Sequence, residues 1–167
     1  MTMIRPERPG DEPAIRAVHV ASFPTEAEAR LVDLLRSAGR LSLSLVAEVD
    51  GAIVGHVAFS PVTTTSGATG AGLAPLAVSP SHQRRGVGGM LIEEGLAACR
   101  TAGFGWAVVL GEPHYYGRFG FHPAPGVGLA DEYGGGDAFQ VVELVPGALP
   151  VGAGLVRYAA EFASLDE

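Results

Sequence analysis

The residues best suited to chemistry form a short, basic, glycine-rich segment at the start of a predicted helix. It reads Gln83-Arg84-Arg85-Gly86-Val87-Gly88-Gly89 and follows an apolar strand. Glycines let a backbone approach a ligand closely, and the unpaired N–H groups and dipole of a helix start attract anions. Arg84 and Arg85 add positive charge to a chain whose net charge is -7. The segment predicts a phosphate or pyrophosphate site; the alternative is a tight turn that only caps the helix.

Two other phosphate-binding motifs are excluded by single positions. A dinucleotide-binding fingerprint needs a glycine three residues after Gly88, where Leu91 stands. A P-loop needs a lysine, and all eleven basic residues are arginine. The absence of lysine also excludes a Schiff-base nucleophile and a pyridoxal-phosphate attachment site within this chain.

The predicted elements at the start of the chain are a strand and two helices. Ile4 to Glu7 is a short strand, and Asp11 is the N-cap of a helix. Thr25-Glu26-Ala27-Glu28 matches a capping box at the start of the second helix, which Gly39 ends. The apolar residues expected to face the core are Ile15, Val18 and Ala21 in the first helix and Leu31, Leu34, Leu35 and Ala38 in the second.

Strands are predicted where the hydrophobic period changes to two. Leu41 to Val49 and Ile53 to Ser60 flank Asp50-Gly51, a pair favoured in two-residue hairpin turns. Thr63 to Gly70 is predicted to be a loop or a wide hairpin end. An apolar strand follows from Gly72 to Val78.

Pro75 interrupts that strand and should make it bulge or lack a full partner, because proline donates no ladder hydrogen bond. A helix is predicted from Gly86 to Thr101, with Val87, Met90, Leu91 and Ala98 facing inward. The other predicted elements are strands at Trp106–Leu110, Phe139–Leu144 and Gly154–Tyr158 and a short helix from Pro113 to Phe119. The mixture indicates an α/β or α+β fold.

Composition is that of a single domain, spanning residues 1–167. A chain of this size buries roughly 70% of its unfolded surface, and 47% of the residues are apolar. The acidic balance argues against nucleic-acid binding, and no apolar run approaches the ~20 residues of a membrane span. Met1 to Glu7 lacks the apolar stretch of a secretion signal, and the lone Cys99 favours a reducing cytoplasm, with Cys99 itself in the core.

The pattern Gln-x-x-Gly-x-Gly after Leu76-Ala77-Val78-Ser79-Pro80 resembles motif A of the Gcn5-related N-acetyltransferase (GNAT) superfamily. The resemblance implies a mixed, mostly antiparallel sheet, splayed at the cofactor cleft and flanked by helices. It also implies acetyl-CoA as cosubstrate, with its pyrophosphate on the amides of residues 83–89 and its pantetheine arm beside Leu76, Ala77 and Val78. A backbone N–H of that strand would polarise the thioester carbonyl. Pro75 fits a splayed strand.

A second segment, Gly111-Glu112-Pro113-His114-Tyr115-Tyr116-Gly117-Arg118-Phe119-Gly120-Phe121, is similar to the family's strand and short helix. In the family, a tyrosine five residues before the Phe of a Gly-Phe pair often protonates the leaving thiolate. Here that residue is Tyr116; the alternative is an aromatic that only packs the helix. Both segments, with 28-EARLVDLLR-36, are closest to the small bacterial predicted N-acetyltransferases.

The family resemblance implies direct acetyl transfer to an amine, but the general base is left open. Many relatives carry a glutamate on the strand before motif A, and Gly72 to Val78 has no carboxylate. Glu112 and His114 are the nearest candidates; a water-mediated route or an acceptor that arrives neutral are the alternatives. Relatives often bind the acceptor between the first two helices, which makes Phe23 and Glu26 candidate contacts, and they are commonly homodimers.

Two alternative functions and the question of a metal remain. A non-catalytic acyl-CoA binding or sensing domain has the same fold, and an O-acetyltransferase or a transferase of longer acyl groups would differ in the pocket near Leu76 and Leu110. No metal is expected, because the histidines show no ligand spacing and are expected to be exposed or hydrogen-bonded: His19, His56, His82 and His122.

Overall fold

The structure is a computed structural model that describes residues 1–166; for residue 166 it describes the backbone only. The chain divides into two compact units. The first comprises Met1–Phe59, Ala74–Gly95 and the C-terminal segment from Ala160, and the second comprises Ser60–Leu73 and Leu96–Ala159. The expectation of one domain over residues 1–167 stays a prediction.

In the first unit the sheet has the order β1-β2-β3-β4. Its strands are β1 (Thr2–Pro6), β2 (Leu43–Val49), the first part of β3 (Ala52–Thr64) and the last part of β4 (Thr69–Val78). β2 is antiparallel to both β1 and β3, and the register with β3 shifts between Ala47 and Glu48, where Val54 of β3 is the extra residue. Asp50 (φ 50°) and Gly51 (φ 80°) form the predicted two-residue turn, since both have the positive φ that such a hairpin requires.

The α-helices of the described part of this unit are α1 (Glu12–Ser22), α2 (Ala27–Ser37) and the first part of α3 (Val87–Thr101). Their buried faces differ from the prediction. Ala21, Leu34, Ala38 and Met90 are exposed, whereas buried residues include His19, Ala29, Val32 and Ile92. The prediction is confirmed for the six residues that are buried: Ile15, Val18, Leu31, Leu35, Val87 and Leu91. It is wrong at Leu34 and Met90, because it selected residues by hydrophobicity, whereas the helical period places these two at the border of the core and places His19 inside it.

The predicted capping box of α2 is also wrong. Glu26 is the N-cap, and its side chain makes no capping hydrogen bond. The hydroxyl of Thr25 accepts from the N–H of Ala27 at 3.2 Å. Asp11 does occupy the N-cap position of α1, but its carboxylate binds Arg5 and the N–H of Arg8 instead of the helix.

Two glycines allow α3 to lie against β3. A Cβ at Gly95 would come within 2.5 Å of Phe59 Cε2, and one at Gly55 would lie 3.0 Å from Leu91 Cδ1. Any other residue at 95 would displace the Phe59 ring, which is fully buried. The close approach sets where the first turn of α3 lies relative to the sheet of this unit.

In the second unit the sheet has the order β3-β4-β5-β8-β6. β5 (Trp106–Leu110) is parallel to β4 over only two residue pairs and antiparallel to β8 (Phe139–Glu143), which pairs with β6 (His122–Pro123). Outside this order, β9 (Gly154–Arg157) pairs with the end of β3 and with β7 (Leu129–Asp131). The helix α4 (Pro113–Gly117) follows β5.

The pairing confirms a mixed, mostly antiparallel sheet. Parallel pairs occur at β4–β5 and β7–β9 in the described part of the chain. β3 and β4 extend into the predicted loop from Thr63 to Gly70, so their turn is tighter than expected. None of the described helices is long and apolar enough to cross a membrane.

Candidate functional site

The predicted anion loop joins β4 to α3 through a short 3₁₀ turn at Pro80–His82. Arg84 (φ 63°) and Gly86 (φ 81°) both have left-handed backbone conformations. Consequently α3 begins at Val87, one residue later than predicted. Left-handed residues next to a helix start turn successive N–H groups toward one point, which makes a concave anion site.

The loop is open to a ligand. Residues 83–86 are exposed, and the N–H groups of Arg84, Arg85 and Gly86 donate no backbone hydrogen bond within residues 1–166. The first N–H groups of α3, including those of Gly88 and Gly89, have no partner within a helix. Within the described residues neither arginine forms an ion pair with a carboxylate. Amides and cations that lie unpaired at one corner fit a polyanion such as a pyrophosphate.

Gln83 has a structural role in this loop. Its Nε2 donates to the carbonyl oxygen of Val78 at 2.9 Å. The Ser22 hydroxyl lies 2.7 Å from the carbonyl oxygen of Val18 and 3.0 Å from that of Val78, so its one proton is shared between them. The Gln83 side chain therefore closes the turn between β4 and α3. The Ser22 contact shows that the end of α1 lies beside the end of β4.

The last residues of β4 lie beside the loop. Leu76 and Val78 are half-buried, whereas Ala77 is buried, as the alternation of a strand requires. Pro75 is buried, and the Ala74–Pro75 peptide bond is cis. The strand therefore presents Leu76 and Val78 on its less buried face.

Tyr116 lies in the second unit, on α4. Its ring packs edge-on against Phe121 at 5.8 Å and Tyr115 at 5.0 Å between centroids. Burial, and secondarily the neighbouring Tyr115, raises the pKa of Tyr116 to about 12, so its hydroxyl stays protonated at neutral pH. Leu110, at the end of β5, is 37% exposed.

A model of the acetyltransferase (GNAT) family matches residues 12–121, which include both segments described above. The chain belongs to the GNAT family. It is 42% identical over 163 residues to YhbS of Escherichia coli K12, named an uncharacterized N-acetyltransferase, covering 96% of this chain and 98% of that protein.

Two solved structures of GNAT proteins are similar over nearly the whole chain. A crystal structure of YhbS from Escherichia coli in complex with CoA has a TM-score of 0.92 at 41% identity, covering 97% of this chain and 92% of that one. A GNAT acetyltransferase from Brucella melitensis in complex with acetyl-CoA has a TM-score of 0.80 at 42% identity, covering 97% and 98%. These matches confirm the predicted fold.

The two candidate bases of this GNAT protein differ in their surroundings. Glu112 is the N-cap of α4: its Oε1 accepts from the N–H of His114 at 3.1 Å and its Oε2 from that of Tyr115 at 2.9 Å. Both carboxylate oxygens thus hold the helix start. The His114 side chain is exposed.

The two candidate acceptor contacts lie near the junction of α1 and α2. Phe23 follows α1, is half-buried and stacks on the His19 ring, with centroids 6.0 Å apart and planes at 8°. Glu26 is exposed and lies 3.5 Å from Arg16.

Sequence reasoning missed a buried polar chain in the first unit. His19 Nε2 lies 2.8 Å from His56 Nδ1, and His56 Nε2 lies 2.8 Å from Ser44 Oγ. Ser44 donates to Glu7 Oε1 at 2.6 Å, and Arg36 contacts both carboxylate oxygens of Glu7, at 2.8 and 3.1 Å. We call His19, His56, Ser44 and Glu7 the buried polar chain. The sequence offered one signal for it: His19 lies one helical turn after Ile15 and so on the buried face of α1.

The remaining titratable candidates are Cys99, His82 and His122. Cys99 is buried, and burial raises the pKa of its thiol to about 12, which agrees with the predicted core role. His122 is exposed and His82 is half-buried. Among residues 1–166, no group of three or more His, Cys, Asp or Glu side chains is arranged to hold a metal ion.

Proposed function

We propose that the protein transfers an acetyl group from acetyl-CoA to an amino group of an acceptor. The observation that carries this proposal is the loop of residues 83–89 at the start of α3. Residues 83–86 are exposed, Arg84 and Gly86 are left-handed, and neither Arg84 nor Arg85 forms an ion pair with a carboxylate among residues 1–166. Relatives at 41–42% identity bind CoA or acetyl-CoA, which supports the same cosubstrate here.

In this proposal the pyrophosphate of acetyl-CoA binds the N–H groups of residues 83–89, and Arg84 and Arg85 contribute charge. The pantetheine arm lies along Leu76, Ala77 and Val78. A backbone N–H of this strand stabilises the negative charge that develops on the thioester oxygen as the amine attacks.

Tyr116 is proposed as the general acid. The phenol is protonated at neutral pH, as an acid must be, and its pKa of about 12 means that it gives up the proton only as negative charge develops on the sulfur. The proton goes to the sulfur as the carbon–sulfur bond breaks and negative charge accumulates there.

The acceptor must attack as a neutral amine. For a lysine-like amine of pKa ~10.4, deprotonation at neutral pH costs about 4–5 kcal/mol. Glu112 and His114 remain proposed bases; the exposure of His114 leaves its ring accessible, whereas Glu112 also caps α4. Phe23 and Glu26 are proposed acceptor contacts, a homodimer is the proposed assembly, and the cytoplasm is the proposed compartment.

Binding and turnover test the proposal separately. Saturating acetyl-CoA should raise the melting temperature, because a ligand that selects the native state stabilises it. Thiol release from acetyl-CoA, followed with a panel of alkylamines, peptides and protein substrates, then identifies the acceptor class. An unchanged melting temperature would contradict the cosubstrate; a raised one without turnover would favour an acyl-CoA sensing domain, an alternative that the lack of a carboxylate on residues 72–78 supports.

A further inference from the structure

The buried polar chain has a direction that its own chemistry fixes. The Glu7 carboxylate, paired with Arg36, only accepts hydrogen bonds, so the Ser44 hydroxyl must donate to it. A hydroxyl has one proton, so Ser44 Oγ must in turn accept from His56 Nε2–H.

The same reasoning continues to the other end. A neutral His56 that is protonated on Nε2 has a lone pair on Nδ1, so His19 must donate to it through Nε2–H. The neutral His19 ring then has its lone pair on Nδ1. This atom is buried and has no hydrogen-bond partner among the described residues.

The protonation states agree with this assignment. Burial lowers the pKa of His19 to about 4. The pKa of His56 lies well below its usual value because of burial and, to a smaller extent, the charges of His19 and Arg36. Both rings therefore carry a single proton at neutral pH, and every hydrogen bond in the chain points from His19 toward Glu7.

His19, at the unpaired end of the buried polar chain, lies close to residues already proposed to bind substrates. His19 stacks on Phe23, the proposed acceptor contact, and precedes Ser22 by one helical turn. Ser22 is hydrogen-bonded to the carbonyl of Val78, on the strand proposed to hold the pantetheine arm. All these residues belong to the first unit.

We infer that the buried polar chain is a proton relay: its unpaired end, the buried His19 Nδ1, receives through one water the proton that the acceptor amine must lose, and Glu7 releases a proton to solvent. The inference rests on the proposed acetyl transfer. It supplies a proton path for a protein whose β4 strand lacks a carboxylate between residues 72 and 78.

The transfer balances without any other reactant. As His19 Nδ1 gains a proton, the proton on its Nε2 moves to His56 Nδ1. The proton on His56 Nε2 moves to Ser44 Oγ, and the Ser44 proton moves to Glu7. No bond between heavy atoms changes, and the positive charge lost by the amine neutralises one carboxylate.

Glu7 is suited to the exit. Its side chain is 17% exposed, so it can exchange protons with water. Arg36 holds both its oxygens and is itself shared with Asp33 at 3.2 Å and Glu12 at 3.6 Å.

Ring tautomers test the direction without an acceptor. In the full chain at neutral pH, ¹⁵N NMR with triple-resonance assignment should find the protons of both His19 and His56 on Nε2. A His56 ring protonated on Nδ1 would reverse a hydrogen bond and overturn the relay.

Kinetics test the use of the relay. Ser44→Ala interrupts the chain, and thiol release with the best alkylamine of the panel should fall by about 10²-fold, the usual contribution of a base. In H₂O/D₂O mixtures the wild type should show a curved dependence, because several protons move together, and Ser44→Ala a linear one. Ser44→Thr keeps the hydroxyl and should restore rate and curvature.

The matched control is Ser60→Ala. Ser60 is a buried serine of β3 whose hydroxyl has no hydrogen-bond partner among residues 1–166, so its removal should leave rate and curvature unchanged. An acetyl-CoA-induced shift in melting temperature shows that each variant is folded. If wild type turns over and Ser44→Ala matches it in rate and curvature, the relay is wrong; if wild type neither binds acetyl-CoA nor releases thiol, the proposed function fails.

Discussion

The ring of Tyr116 lies against the Cα of Gly111, so that a Cβ at residue 111 would collide with ring atoms Cδ2 and Cε2. The carbonyl oxygen of Gly111 accepts from the buried Gln140 Nε2 at 3.1 Å, and the N–H of Gly111 donates to Ala138 O at 3.0 Å. The turn before α4 is thus held at both its backbone groups. The position of the proposed acid depends on the absence of a side chain at residue 111.

Gly111→Ala should therefore displace the Tyr116 ring. Overpacking of this kind costs about 1–3 kcal/mol, so we expect lower stability and at least tenfold slower thiol release, with acetyl-CoA affinity retained. Gly117→Ala is the matched control, because a Cβ there has no neighbour within 4 Å. Equal activity of both variants would show that the position of the Tyr116 ring is unimportant for turnover.

Tyr116→Phe removes only the phenolic hydroxyl. If Tyr116 is the acid, thiol release should fall by about 10²–10⁴-fold while the shift in melting temperature with acetyl-CoA persists. Tyr115→Phe, the same change on the adjacent residue, should keep near wild-type turnover. A Tyr116→Phe enzyme that is as fast as wild type would assign the ring a packing role alone.

Gly86→Ala tests the anion loop. At φ 81° an alanine costs about 1–2 kcal/mol, and relaxation of that strain would turn the loop amides away from the ligand. We expect a lower melting temperature and roughly tenfold weaker acetyl-CoA binding, equivalent to about 1.4 kcal/mol. Gly67→Ala carries similar strain at φ 92° with no neighbour near the Cβ, and it should lower stability without changing affinity measured by calorimetry.

His19 should make stability depend on pH. Its pKa is about 4 in the folded protein and 6.5 when exposed, so between these values the unfolded chain binds the extra proton. The contribution of neutral His19 to the free energy of unfolding is therefore complete above pH 6.5 and is lost as the pH falls toward 4. The loss is about 3 kcal/mol at most. Urea unfolding of wild type and His19→Phe between pH 4 and 7 should show a shallower slope for the variant; parallel slopes would contradict a depressed His19 pKa.

The sequence predicted the elements with strong local signals. Asp50-Gly51 specified its hairpin, and Trp106–Leu110 was predicted with the bounds that the structure has. Local patterns failed where tertiary contacts decide. β6 and β7 have two and three residues, too few for any period to show, and they exist because β8 and β9 pair with them.

The candidate site was predictable to a similar extent. The anion loop could be predicted because its glycines act through the backbone. Their position at the start of a helix was enough to predict the site. The buried polar chain was not predicted, because Glu7, His19, Ser44 and His56 are far apart in sequence and only strand register and the packing of α1 bring them together. The side-chain role of Glu112 as a helix cap was likewise visible only in three dimensions.

The side-chain amide of Gln83, the first residue of the loop motif, donates a hydrogen bond across the turn to Val78 and is therefore not available to a ligand. Only a donor can satisfy the Val78 carbonyl from that position. A glutamate at residue 83 would place a carboxylate oxygen next to the Val78 carbonyl oxygen. The two oxygens would repel each other and destabilise the turn between β4 and α3, although glutamate and glutamine have nearly the same size. Tolerance at this site should consequently follow hydrogen-donating ability more closely than size or charge.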